Sequence, residues 1–113
     1  MSGSTWEGPV LVIARYKPLE GREEELMELV RRHGPVLVEQ GLVTDQPFVH
    51  GRAADGAVIE IFEWRSEASS CSAHENEEVG KVWGAMAACA EFQAVGELEE
   101  MRGPFASFEP YVP

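Results

Sequence analysis

Positive charge is what this chain has least of. Nine Lys and Arg stand against twenty Asp and Glu, a formal net charge of −11 at pH 7. Recognition of phosphate needs clustered cations, so the balance speaks against nucleic acid and anionic membrane as partners. Long apolar runs are missing too. The longest near the start, Val10-Leu-Val-Ile-Ala14, has five residues, where a bilayer span needs about 20. There are two cysteines, Cys71 and Cys89. Placed in one helical region, they would lie roughly 27 Å apart, against the limit of about 7 Å for a disulfide. Two unpaired thiols fit a reducing compartment, and the first residues show neither a basic stretch nor an apolar one of signal length. The expected location is cytoplasmic. Cys-x-x-Cys, a glycine-rich phosphate loop and His-Glu-x-x-His are all absent, and His33, His50 and His74 have no metal-ligand spacing. No metal and no cofactor are expected. No nucleophile elbow supports a serine hydrolase.

What is present is the composition of one soluble globular domain: 113 residues, 44% hydrophobic and 26% charged. Residues 1–8 read as a flexible lead-in and 9–113 as the domain. Residues 10–17 are β-branched and aromatic and read as a central strand. Glu20-Gly-Arg-Glu-Glu-Glu25 opens a helix whose apolar stripe is Leu26, Leu29, Val30 and His33. Gly34-Pro35 predicts either a kink or a second short helix, and Gly41 a C-cap. Residues 43–51 read as an edge strand because of Pro47. Asp55-Gly56 marks a turn into a third strand over 57–64. Ser66 and Asn76 each precede helical patterns as N-caps. Val79, Val82, Trp83, Met86 and Ala90 share one face of the second pattern, with Gly80 and Gly84 on the other side. Residues 105–109 read as the last strand.

Strand, helix, strand, strand, helix, strand is the ferredoxin-like βαββαβ plan, a four-stranded antiparallel sheet with both helices on one face. Alternation along the third strand puts Ile59 and Ile61 on one face and Val58, Glu60, Phe62 and Trp64 on the other. The branched aliphatics are expected beneath the helices. The aromatic set would then face outward, and burying each large apolar side chain is worth about 1.5–3 kcal/mol. A second copy is therefore expected over that face, giving a homodimer that closes a barrel around a mostly apolar space.

Ile61-Phe-Glu-Trp-Arg-Ser66, followed by Ala73-His74-Glu-Asn76 and Val82-Trp83, resembles the dimeric α/β-barrel superfamily in its antibiotic-biosynthesis-monooxygenase-like branch. The resemblance covers residues 9–109. It implies the dimeric barrel and an activity from a range that includes cofactor-independent oxygenation of polycyclic phenols, haem degradation, isomerisation and roles in small stress-response proteins. The haem-degrading members use an Asn on the first strand, a Trp early in the second helix and an axial His further along. This first strand has no Asn, and Trp83 stands where the axial His belongs, so the pattern departs at two of three positions.

Five residues carry the expected site. His74 would present an imidazole at the cavity mouth, and an ordinary imidazole pKa of about 6.5 suits proton transfer. Glu60, a carboxylate in a hydrophobic strand, would have its pKa raised by desolvation and act as a base; the alternative is a structural pair, with Arg15 as one partner. Trp64, Phe62 and Tyr16 would line an aromatic pocket for a flat ligand, or form dimer core. Trp83 reads as core, His50 as a solvated or capping group and His33 as a satisfied half-buried histidine. The resulting expectation is a small cofactor-independent monooxygenase-like protein that acts on or binds a small aromatic or polyketide-like molecule. The alternative is a non-catalytic binding protein or a structural dimer.

Overall fold

The run of β-branched residues from Val10 onward forms β1 (Val10–Pro18), which pairs on both sides and is therefore interior to the sheet. The computed structural model describes residues 6–113, so most of the lead-in expected over 1–8 lies outside the described residues. After β1 come α1 (Glu23–Glu39), β2 (Val49–Arg52), β3 (Val58–Trp64), α2 (Glu67–Ala73), α3 (Glu77–Cys89), β4 (Ala90–Phe92), two 3-10 turns (Val95–Glu97 and Glu99–Arg102) and β5 (Glu109–Pro110). The five strands form one antiparallel sheet in the order β4-β1-β3-β2-β5. The chain is thus α+β, with five strands and three helices where the sequence pattern predicts four strands and two helices.

Local sequence explains the helix ends. Ser66 accepts a hydrogen bond from the Ser69 amide at 3.1 Å, and Asn76 accepts one from the Val79 amide at 3.0 Å. Each satisfies one of the orphan donors of a helix start. At the end of α1, Gly41 takes φ +70. The Gly41 amide reaches the Val38 carbonyl and the Leu42 amide reaches the Leu37 carbonyl, a Schellman arrangement that needs a residue without Cβ strain. Pro35 does not break α1, which runs unbroken through it. Gly34 beside it is buried against the ring of Phe48, so tertiary packing holds this turn where local propensity would not.

Two strand expectations are corrected. Within residues 43–51 only the end pairs as β2; Val43 makes one isolated bridge to Trp64, and Pro47 lies outside the ladder. Residues 105–108 are not a strand. The strand that follows α3 is the short β4, and the C-terminal segment adds only Glu109 and Pro110 to the edge of β2.

The faces of β3 are reversed from expectation. Val58 packs with Leu26, Leu29, Val30, Val82 and Met86, while Phe62 and Trp64 pack with Leu37, Ala73 and Val79. Those partners lie on α1, α2 and α3, so the aromatic row is beneath the helices. Ile59 faces the other way, packed with Ala53, Ala57 and Leu98. The reason lies in the helix stripes. The inward side of α3 carries Val79, Val82, Met86 and Cys89, and together with the α1 stripe these fill the layer against Val58, Phe62 and Trp64. The opposite face keeps an apolar row: Ile13, Ile61 and Val49 stand in register across β1, β3 and β2, with Ile61 partly covered by the Leu98 cluster, Ile13 and Val49 exposed and Leu11 65% exposed beside them.

Candidate functional site

Glu60 sits at the middle of β3, on the helix face, with no exposure to solvent. Its cross-strand neighbours are Ala14 on β1 and His50 on β2. Ala14 is small enough for Tyr16, two positions along, to lean across diagonally. The Tyr16 hydroxyl donates to Glu60 Oε1 at 2.8 Å. His33, from the buried stripe of α1, places Nδ1 at 2.8 Å from the same oxygen, and His50 places Nε2 at 2.9 Å from Oε2. A carboxylate has acceptor capacity only, so all three groups donate. On its other side, His33 Nε2 receives the indole N–H of Trp83 at 2.9 Å. An indole nitrogen can only donate. His33 Nε2 is therefore unprotonated, Nδ1 carries the proton, and the His33–Glu60 contact is a hydrogen bond from a neutral ring and not an ion pair.

Burial pushes the Glu60 carboxyl up, but the hydrogen bonds from His33, His50 and Tyr16 outweigh it and hold the group below its ordinary 4.5. The expected base with a raised pKa is thus corrected to a fixed anion with all its near partners in place. Tyr16 shifts the other way. Burial, then the adjacent Glu60 charge and the hydrogen bond to it, push the phenol well above 10. It remains a donor. Arg15 is not the partner of Glu60; its guanidinium lies on the opposite face, donating to Asp55 Oδ2 at 2.7 Å and to the Ala94 carbonyl at 2.9 Å.

Two histidines and a carboxylate can form a metal triad. In this cluster the ring nitrogens that would bind the ion are turned onto the carboxylate itself, and the second nitrogen of His33 is taken by Trp83. Among the described residues no group of three His, Cys, Asp or Glu side chains is arranged to hold a metal ion.

Beside this cluster, between the sheet and α3, lies a cavity of about 290 Å³ bordered by Tyr16, His33, Phe62, Trp64, His74 and Trp83, among others. Four of the five expected site residues therefore border one space; Glu60 does not, standing behind Tyr16 and His33. An adjoining cleft of about 540 Å³ shares Val12, Trp64, Ser70 and His74 with it and opens toward Trp6 and Cys71. His74, the C-cap of α2, is exposed at this junction and packs edge-on against Trp83, ring centroids 5.0 Å apart. Its ring nitrogens have no hydrogen bond among the described residues.

Three participants escape sequence reasoning. The helix stripe contains His33 but assigns it no partner, His50 reads as a surface group, and Phe48 reads only as part of a strand. Phe48 stacks on Phe62 at 5.0 Å with planes 3° apart and meets His33 edge-on. The signal in the sequence is a pair of polar residues, His33 and Glu60, each centred in an otherwise apolar stripe. Two such groups facing one layer must satisfy each other.

No model of a known protein family, no curated protein and no solved structure matches this chain. Among the described residues no helix is long and apolar enough to cross a membrane.

Proposed function

We propose that this chain is a small monooxygenase-like member of the dimeric α/β-barrel superfamily that binds a small aromatic molecule between its sheet and α3. The order β4-β1-β3-β2 is that of the ferredoxin-like plan, with β5 as an added edge. The row of Ile13, Ile61 and Val49 gives a second copy an apolar face to cover. The observation that carries the functional reading is the cavity itself. An apolar void of about 150 Å³ takes benzene, so about 290 Å³ accommodates one or two fused rings.

In a cofactor-independent oxygenation the protein binds the flat substrate, removes a proton and steers dioxygen to the resulting carbanion. His74 is the imidazole available for that proton, since both nitrogens of His33 are taken within the protein. A second reading is favoured by one feature of His74: no hydrogen bond among the described residues orients its ring, whereas catalytic bases are usually oriented by a third group. On that reading the cavity carries a ligand without turning it over.

The test is a panel of phenols and anthrones followed by thermal shift and by dioxygen consumption, on the wild type and on His74→Ala. Ligand-dependent stabilisation of both proteins, with consumption by the wild type alone, is the expected result. Stabilisation without consumption moves the assignment to a carrier. A panel in which no member raises the melting temperature overturns the reading.

A further inference from the structure

The cavity is walled by aromatic rings and backed by a buried negative charge. Tyr16, Phe62, Trp64, Trp83 and Phe92 all border it, and no Lys or Arg does. Directly behind Tyr16 and His33, one hydrogen bond of 2.8 Å away in each case, is Glu60 Oε1. The Trp83 bond keeps His33 neutral, and Tyr16 is a neutral phenol, so neither group between the carboxylate and the cavity carries a positive charge. His50 meets the other oxygen from the β2 side, and its ring borders a separate outer groove with Phe48 and Pro113. A desolvated charge acts through protein at an effective dielectric well below that of water. The faces of aromatic rings attract cations by their quadrupoles.

We propose that the cavity selects aromatic molecules bearing a protonated or quaternary amine, over neutral isosteres and strongly over carboxylates. The proposal rests on the aromatic-binding part of the proposed function and names its ligand class. The overall charge of −11 would also favour cations, but from the surface. The two sources separate by salt, because the screening length falls to about 3 Å at 1 M while a charge enclosed in protein remains largely unscreened.

Three probes with one skeleton serve as the test: a naphthyl trimethylammonium salt, a naphthol and a naphthoate, titrated calorimetrically into the full chain at 0.15 M and 1 M salt. The ammonium probe is expected to bind at least tenfold tighter than the naphthoate, with naphthol between, and to keep most of that ratio at 1 M. Glu60→Gln, which retains an acceptor for Tyr16 and His33, is expected to bring the ratio close to one while naphthol affinity changes little. Naphthol binding with no preference for the cation overturns the proposal and leaves the aromatic-binding reading standing. A preference that vanishes at 1 M salt overturns it in favour of surface charge. Binding of none of the three overturns both. Should Glu60→Gln fail to fold, the wild-type salt comparison alone decides.

Discussion

The indole N–H of Trp83 is bonded to Nε2 of His33 at 2.9 Å, and this one contact fixes the tautomer of the buried histidine. It makes Nδ1 the donor to Glu60 and removes His33 from the set of free bases. It also joins the wall of the cavity to a carboxylate with no solvent exposure. Stability, the choice of base and the ligand preference of the cavity all follow from the same chain of atoms.

Replacing Trp83 by Phe keeps a ring in place and deletes the donor. His33 Nε2 is then a buried acceptor without a partner, at a cost of about 1–3 kcal/mol. The sharper readout is the tautomer. Nitrogen-15 NMR of the wild type is expected to show a pyridine-like Nε2 and a pyrrole-like Nδ1 at His33. In Trp83→Phe the Nε2 resonance should shift as it loses its hydrogen bond. A wild-type His33 with its proton on Nε2 would break the assignment of that ring.

Removing the carboxylate strands three donors at once. Glu60→Ala leaves Tyr16, His33 and His50 without their acceptor, two of them on buried side chains. At about 1–3 kcal/mol per buried unsatisfied group, the loss should be at least about 2 kcal/mol in urea denaturation. Glu60→Gln should cost less than Glu60→Ala, because its carbonyl still serves Tyr16 and His33 and its amide can donate to a His50 that has changed tautomer. Equal losses for the two variants would mean that the negative charge removed by both, and neither the cavity nor the stranded donors, sets the cost.

The pH dependence has a definite sign. Glu60 is held below its ordinary 4.5 in the folded chain. A lowered carboxyl contributes stability that is complete above the unfolded value and is lost as pH falls through the folded one. The window therefore opens at about 4.5 and runs downward from there. Acid titration of unfolding free energy should be steep there in the wild type and distinctly flatter in Glu60→Gln. Parallel curves for the two proteins would show that other carboxylates carry the acid sensitivity.

Much of this arrangement is legible in the residues. Ser66, Asn76 and Gly41 announce their caps by side-chain chemistry that acts over three or four positions, and β1 and β3 announce themselves by composition. What the pattern does not reveal is which face of β3 meets the helices. Alternation divides Ile59 and Ile61 from Glu60, Phe62 and Trp64, but it is symmetric, and the decision lies with residues of other elements, the buried stripes of α1 and α3. The same limit hides the partners of Glu60. His50 lies ten positions away and His33 twenty-seven, and only the sheet register and the packing of α1 bring them together. β4 leaves no signal because it follows α3 without a break and is three residues long, too short for a period of two to separate from the helical one.

The apolar row on the far side of the sheet leads to the last prediction. Ile13 pairs with Ile61, and Ile61 with Val49, so three branched side chains cross three adjacent strands with Leu11 at their flank. Exposed β-branched residues in register on a sheet form a surface that water solvates poorly, and a partner sheet covers it at a face-to-face spacing of about 10 Å. The wild type is therefore expected to sediment as a dimer. Ile13→Lys places a charge at the centre of the row, where a partner would have to desolvate it, and should shift the protein to monomer at micromolar concentration. Because this side chain points away from α3 and the cavity, the shift should leave naphthol affinity unchanged. A wild type that sediments as a monomer would remove the dimer. A variant that loses naphthol affinity together with its partner would instead show that the second copy shapes the pocket from behind the sheet.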